Sequence, residues 1–252
     1  MGYFRSVEYG DIIDIYTYDR DISTKPKKSV SAHKRKRQKQ LREHIKATGT
    51  YKRSKRSVNR SRRSFFRLCH HNNVHSETIH FVTLTFAYDV PYKTALRHVA
   101  HFFQRIQKVK PEIPLRYISV SEQTKSSRYH FHMLLYDLPA QTETQERETR
   151  NFQRLFGCGY VDIRLAAYNS VGIAGYMAKY MAKTLGSAEN AAVRGYSSSR
   201  NIKKGTSIGF NSVDEYTDMS IPCQGVENVD EKVYDVPYLG QCRLRKFRKI
   251  IK

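Results

Sequence analysis

Arg128-Tyr129-His130-Phe131-His132-Met133-Leu134-Leu135-Tyr136 is the stretch on which the fold turns. It is apolar and aromatic, it follows the turn-forming Lys125-Ser126-Ser127, and it reads as a strand from Tyr129 to Tyr136. Leu115 to Ser121 is a second strand just upstream, so the two predict a hairpin. Further back, Thr78-Ile79-His80-Phe81-Val82-Thr83-Leu84-Thr85-Phe86 is β-branched and apolar, a strand buried on at least one face. Between them, residues 93–109 place Leu96, Val99, Ala100, Phe103 and Ile106 at helical spacing, and Pro111 and Pro114 end the helix. Downstream, residues 142–156 predict a polar-faced helix with Phe152, Leu155 and Phe156 inward, broken by Gly157-Cys158-Gly159. A strand at Tyr160–Leu165 and a helix from Val171 to Leu185 follow, with Gly186 in the C-terminal cap position. The order β-α-β-β-α-β-α predicts an α+β fold, a central antiparallel β-sheet with helices packed on one face.

The flanks differ in composition. Asp11-Ile12-Ile13-Asp14-Ile15-Tyr16-Thr17-Tyr18 predicts a strand within an N-terminal segment, 1–24. Residues 25–63 hold 17 Lys/Arg against one acid, Glu43, a net of +16. Residues 243–252 add six Lys/Arg and no acid. These two segments account for the whole formal charge of +22, so the remaining chain is about neutral. Such charge density points to polyphosphate contact. With few large apolar residues, 25–63 reads as a basic, flexible DNA-binding arm, disordered or marginally helical without a partner. From Ser57 to His71 it can continue as a basic helix anchored by Phe65, Phe66 and Leu68. Residues 64–190 then read as the folded body and 191–252 as a C-terminal extension with a basic tail. In that extension Ser197–Arg200 and Lys203-Lys204 read as a basic loop and 214–235 as weakly periodic and acidic. No apolar run is long enough for a transmembrane helix, and the N-terminus lacks the apolar core of a signal peptide. Four widely spaced cysteines, Cys69, Cys158, Cys223 and Cys242, suit free thiols in a reducing compartment.

Two constellations carry chemistry. His130 and His132, two apart on a strand, share one sheet face, while Phe131 and Met133 point into the core. Two neutral imidazoles on one row can hold one metal ion, and Glu122, at the end of the preceding strand, is placed to add a carboxylate oxygen. Such a set with open positions suits Mg²⁺ or Mn²⁺. Taken alone, a His-x-His strand is more often a pair of solvated or core histidines. Gly175-Tyr176-Met177-Ala178-Lys179-Tyr180-Met181-Ala182-Lys183 puts Tyr176 and Tyr180 on one helix face, with Lys179 and Lys183 on an adjoining stripe. Read alone, that helix is amphipathic, with tyrosines as core filler. A phenol, with a pKa of about 10, is a feeble nucleophile unless the target phosphate is polarised and a cation stabilises the charge.

Together these residues resemble the HUH endonuclease family, the rolling-circle replication initiators (Rep proteins) of single-stranded DNA phages, viruses and plasmids. Phe81–Phe86 resembles the family's first motif, His130-Phe131-His132 its second with Glu122 as the acidic ligand, and Tyr176–Lys183 its third, in the family's order over roughly 78–186. The doubled tyrosine is similar to the phage-type initiators. The resemblance implies an HUH/RRM-like nuclease domain and metal-assisted transesterification. In that chemistry Tyr176 or Tyr180 takes a 5′-phosphotyrosine link, Lys179 and Lys183 orient phosphate, and Glu122, His130 and His132 hold the metal. It implies single-stranded origin DNA or an origin hairpin as partner, a host polymerase and helicase, and work in the host cytoplasm. No Walker loop occurs, so no helicase domain is expected. Tyr129, Tyr136, Tyr160 and Tyr168 are candidates to stack unpaired bases, packing being the simpler role for most. A non-catalytic single-stranded nucleic-acid-binding protein and an HUH-type transposase are the alternatives. Cys69-His70-His71-Asn72-Asn73-Val74-His75 groups zinc-ligand types but fits no standard finger, which favours a polar linker.

Overall fold

The computed structural model describes residues 3–18, 32–49, 53–123, 128–139, 144–166, 170–187, 195–210, 225–236 and 240–250. The chain forms two compact units, one of Ala47–Lys203 and one of Met1–Lys46 with Lys204–Lys252. The architecture is α+β, with an antiparallel five-stranded sheet in each unit.

The Ala47–Lys203 unit runs α2 (Lys55–Val74), β3 (Ile79–Phe86), α3 (Tyr92–Val109), β4 (Arg116–Gln123), β5 (Tyr129–Tyr136), α4 (Gln145–Phe156), β6 (Gly159–Leu165), α5 (Ser170–Ser187) and the two-residue β7 (Ser197–Ser198). Its sheet order is β6-β3-β5-β4-β7. The pleat sorts side chains by parity. Val82, Leu84, Phe86, Phe131, Met133 and Leu135 pack against α3 and α4 through Val99, Phe102, Phe103, Ile106, Phe152 and Phe156. On the other face, Ile118, Val120, Leu134 and Tyr136 pack with Phe65 and Cys69 of α2 and Met177, Ala178 and Met181 of α5. Helices therefore cover both faces rather than one. The physical reason lies in β3 and β5, which are apolar on both parities, as strands buried on two sides must be. Each of these fully buried large side chains contributes about 1.5–3 kcal/mol.

The second half of the basic segment is structural. Ser54 caps α2 by accepting from the Ser57 amide at 3.2 Å, and Val58, Phe65 and Cys69 are buried. Asn72 on its last turn donates to the Leu68 and Lys203 carbonyls, each at 2.9 Å, and accepts from Arg116 Nη2 at 2.9 Å. Arg116 in turn pairs with Asp137. A buried polar network of this kind fixes where the helix docks. The terminator of α4 is Gly157, which adopts φ 68°. Gly186 does not cap α5: the helix runs through it to Ser187.

In the other unit the sheet order is β8-β1-β2-β10-β9, from β1 (Tyr3–Tyr9), β2 (Ile12–Tyr18), β8 (Thr206–Phe210), β9 (Val226–Val236) and β10 (Gly240–Lys249). The strand predicted at Asp11–Tyr18 is β2, and β1 before it completes a hairpin of two. Gly10, at φ 58°, opens a two-residue turn with Asp11 between the paired Tyr9 and Ile12. The C-terminal basic segment forms most of β10. Its cations face acids: Arg243 and Arg245 reach Glu231 at 3.4 and 3.9 Å, Arg248 reaches Asp11 at 3.5 Å and Lys249 reaches Glu8 at 2.5 Å. The tail is a strand of a mixed-charge sheet. Helix α1 (Ala32–Thr48) carries the exposed cations Lys36, Lys39, Arg42 and Lys46. Among the described residues, no helix is long and apolar enough to cross a membrane.

Backbone contact makes Gly159 irreplaceable. A Cβ there would stand 2.1 Å from the Thr85 carbonyl oxygen and 2.7 Å from the Ala87 nitrogen, neither of which can swing away. Gly159→Ala is expected to destabilise by about 1–3 kcal/mol, the usual range for overpacking, read as a lower urea midpoint at unchanged slope.

Candidate active site

The β4–β5 ladder sets Glu122 directly opposite His130, and β3–β5 sets Thr83 opposite His132 and Thr85 opposite His130. All therefore lie on the sheet face that α5 covers in part. His132 is held at both ring nitrogens: Nε2 is 3.2 Å from Glu122 Oε2, and Nδ1 is 3.2 Å from Thr83 Oγ1. A carboxylate only accepts, so Nε2 carries the proton and Thr83 donates to Nδ1. Burial lowers the pKa of His132 against the pull of Glu122. Burial likewise lowers that of His130, again opposed by Glu122. Glu122 runs the other way: burial pushes its carboxyl up, but hydrogen bonds from Lys183 and His132 outweigh it and hold it below the usual range. The site thus keeps two neutral imidazoles beside an ionised carboxylate.

Helix α5 supplies the opposite wall. Ala174, Met177, Ala178, Met181 and Leu185 are buried and seat it. Thr184 Oγ1 donates to the Ser121 carbonyl, tying the helix to the strand that carries Glu122. The four-residue period then brings Tyr176, Tyr180 and Lys183 to the sheet. The Tyr180 ring lies 4.2 Å from His132, and its hydroxyl donates to the Tyr176 hydroxyl at 2.9 Å. Tyr176 packs edge-on to Phe81 at 5.5 Å and is 44% exposed. Lys183 pairs with Glu122.

The structure brings together six of the seven residues singled out by sequence: Glu122, His130, His132, Tyr176, Tyr180 and Lys183. The seventh, Lys179, is exposed and makes no ion pair or hydrogen bond to another described side chain. Sequence reasoning missed Thr83 and Thr184, which orient His132 and anchor α5; the register of β3 against β5 is the signal that finds Thr83. Among the suggested base stackers, Tyr136 is buried with its hydroxyl on Asn73 Oδ1 at 3.1 Å, and Tyr129 packs on Tyr92 at 5.2 Å. Tyr160 is 64% exposed, and Tyr168 lies outside the described residues. In the Cys69–His75 stretch, a helical turn rather than a linker, Cys69 and His70 are wholly buried and His70 stacks on Phe66 at 5.8 Å.

The donor set of Glu122, His130 and His132 fits a small divalent ion in kind: neutral nitrogens, one charged oxygen, and an open side. In the geometry described, both carboxylate oxygens of Glu122 are engaged by His132 and Lys183. Among the described residues, no group of three or more His, Cys, Asp or Glu is gathered as a ready metal cage. Metal entry therefore requires Glu122 to exchange at least one of these partners.

Beside Tyr176 lies a cleft of about 510 Å³ lined by Phe81, Thr83, Asp162, Arg164, Ile173 and Tyr176 among others. It sits over β3 and the edge strand β6, where α5 leaves the sheet open.

The hydroxyl pair is directly testable. Tyr180 has its pKa raised to about 12, first by the bond it donates to Tyr176, then by burial. In Tyr176→Phe that first cause is gone, and Tyr180 is expected to ionise at lower pH, followed by the ¹³Cζ shift of labelled tyrosine.

Residues 79–185 match the family model described as replication-associated protein ORF2/G2P. The match spans β3 to the last turn of α5, hence every residue of the site. No curated protein and no solved structure gives a significant match. The segment bearing the histidine strand and the tyrosine helix is similar to replication-associated proteins.

Proposed function

We propose that this protein is a replication initiator of the two-tyrosine HUH type, which nicks and rejoins single-stranded origin DNA. The observation that carries the reading is a bonded pair of tyrosine hydroxyls whose Tyr180 ring packs on His132 of a His132–Glu122–Lys183 cluster, within the segment similar to replication-associated proteins. A core tyrosine helix would bury those hydroxyls; here Tyr176 opens to solvent beside a cleft.

Tyr176 is the first nucleophile in this reading. It is the more exposed of the two residues and its oxygen accepts the Tyr180 hydrogen bond, whereas the Tyr180 hydroxyl is engaged as donor. Attack forms a bond between the phenol oxygen and phosphorus and breaks the bond from phosphorus to the 3′-oxygen. The 5′ end becomes a phosphotyrosine ester, and the 3′-oxygen leaves as a hydroxyl carrying the proton the phenol gave up. One phosphodiester replaces another, so no nucleotide hydrolysis is needed. Lys183, 62% exposed at its side chain, is near enough to swing from Glu122 to the phosphate and offset its charge. Thr83 and Glu122 hold the His132 ring; ligation through Nε2 would place its proton on Nδ1, with the Thr83 hydroxyl turned to accept it. Glu122, His130 and His132 would hold a Mg²⁺ or Mn²⁺ ion, which when bound supplies Lewis-acid polarisation of the phosphate oxygens. Tyr180, one turn on, serves the second cut, and the free 3′-hydroxyl reverses the reaction at the first ester to close a circle.

Binding to the rest of the strand falls to Lys36, Lys39, Arg42 and Lys46 on α1 and to the exposed Arg56, Arg60 and Arg63 on α2. The cations of β10 are less available because acids already face them. Changing the four α1 cations to Gln is expected to flatten the plot of log affinity against log salt by about 3 for single strands, at ~0.7 per contact. An unchanged slope would remove α1 from the interface.

The cleavage test uses labelled single-stranded DNA with Mn²⁺ and a denaturing protein gel. A wild-type adduct should survive denaturation, fall by orders of magnitude in Tyr176→Phe and His130→Ala, and be absent in Tyr176→Phe/Tyr180→Phe. Equal adducts from the two single tyrosine variants would make the tyrosines interchangeable. Salt-sensitive binding with no adduct in any metal would leave a non-catalytic binding protein.

A further inference from the structure

Apart from Tyr176 and Thr83, the residues lining the cleft beside Tyr176 take no part in the chemistry just described. Its floor is apolar, with Phe81 and Ile173, and its rim on β6 carries Asp162 and Arg164. Registration fixes them there: Asp162 lies opposite Thr83 and Arg164 opposite Phe81, on the same face as the histidines. Arg164 Nε is 3.1 Å from Asp162 Oδ2 and 3.4 Å from Oδ1, and both side chains are more than half exposed. An exposed pair of this kind adds almost nothing to stability, so its reason for standing on an open sheet face is not folding. Tyr160, the preceding residue on that face, is 64% exposed, and Leu165 at the rim is 60% exposed. An apolar floor with an acceptor-only group next to a forked donor is a recognition surface for a planar, polar-edged ligand.

We propose that this cleft seats an unpaired base next to the scissile phosphate, and that Asp162 and Arg164 select guanine. The proposal rests on the nickase reading and adds which base the site requires. Along one rim guanine presents N2–H, N1–H, O6 and N7: two donors, then two acceptors. A carboxylate accepts from the first two, and a guanidinium fork donates to the last two. Adenine and thymine alternate donors and acceptors, and cytosine offers one donor before its two acceptors, so guanine alone fills both carboxylate contacts and both guanidinium contacts. Unpaired bases are read on these edges while they stack on aromatic rings, and Phe81, Tyr176 and Tyr160 offer the rings. Because Tyr176 lines the cleft and also carries the attacking oxygen, the base held there is within a nucleotide or so of the cut.

The experiment needs no knowledge of the origin. The full chain is incubated with a randomised single-stranded DNA pool and Mn²⁺, covalent adducts are recovered under denaturing conditions, and the attached strands and their released partners are sequenced. Wild-type adducts should share a guanine at one position flanking the linked phosphate, favoured about 10- to 100-fold over other bases, as a bidentate contact discriminates. Asp162→Ala and Arg164→Ala should lower the yield and erase that preference among the adducts that still form. Arg164→Lys should erase it too, since it keeps the charge but loses the fork. Thermal melting at the wild-type midpoint confirms that these surface variants fold. A guanine preference that survives all three variants, or adducts without one, overturns the proposal while leaving the nickase intact. No adduct at all overturns the nickase reading, and this one with it.

Discussion

The register of β5 between β3 and β4 is the constraint on which the rest of the site depends. The two-residue period of a strand means that a slip of one position would turn His130 and His132 toward Phe102 and Phe156 and push Phe131 and Met133 under α5. That slip is blocked from both sides. Phe131, Met133 and Leu135 fill one apolar layer, Leu134 and Tyr136 the other, so neither layer can accept the exchanged set. The parity of the candidate site is thus fixed by residues that lie outside it.

The second wall is fixed by the same logic on a different period. Buried Met177, Ala178, Met181 and Leu185 leave Tyr176 and Tyr180 no freedom to rotate away from the sheet, and Thr184 pins the helix along its length through Ser121. Beside the apolar seam that seats α5 on the sheet, an electrostatic link joins the walls at the candidate site. Glu122 takes His132 on one oxygen and Lys183 on the other, so strand and helix meet at a single carboxylate. A buried carboxylate held this way is stabilised only while both partners stay. On the proposed reading, a cation that takes the Glu122 oxygen now held by Lys183 would free that lysine for the phosphate.

Much of this was legible in the chain. The apolar parities of β3 and β5, the helical spacing of 93–109 and the Gly157 break lie in the letters themselves, because each reports a local period or a backbone need. The six-residue cluster was legible for the same reason: i, i+2 on a strand and i, i+4 on a helix fix direction without tertiary knowledge. What stayed hidden depended on distant partners. The cations of 243–249 look like a free basic tail until β9, Glu8 and Asp11 are placed beside them. The basic run at 55–63 looks like the rest of an arm, yet Val58 and the Ser54 cap make it the start of a packed helix. Gly10-Asp11 was a readable hairpin signal inside a stretch taken for one strand.

That redistribution of charge changes how nucleic-acid contact must be understood. Counted along the sequence, the +22 lies wholly in two segments. Placed in the fold, part of it is balanced across a sheet, part lies on the outer face of α2, and the cations of α1 remain exposed. On the proposed reading, phosphate attraction without sequence reading comes from helices, whose exposed cations repeat every turn and so match a flexible backbone at many positions. Base reading needs the opposite, a rigid surface with few groups at fixed angles. The open edge of the β6–β3 sheet is the part of the Ala47–Lys203 unit that offers both rigidity and access, since strand pairing fixes Asp162 and Arg164 while α5 stops short of covering them. Affinity from helices and selection from a sheet edge beside the tyrosines is the division of labour that this charge distribution and this register together favour.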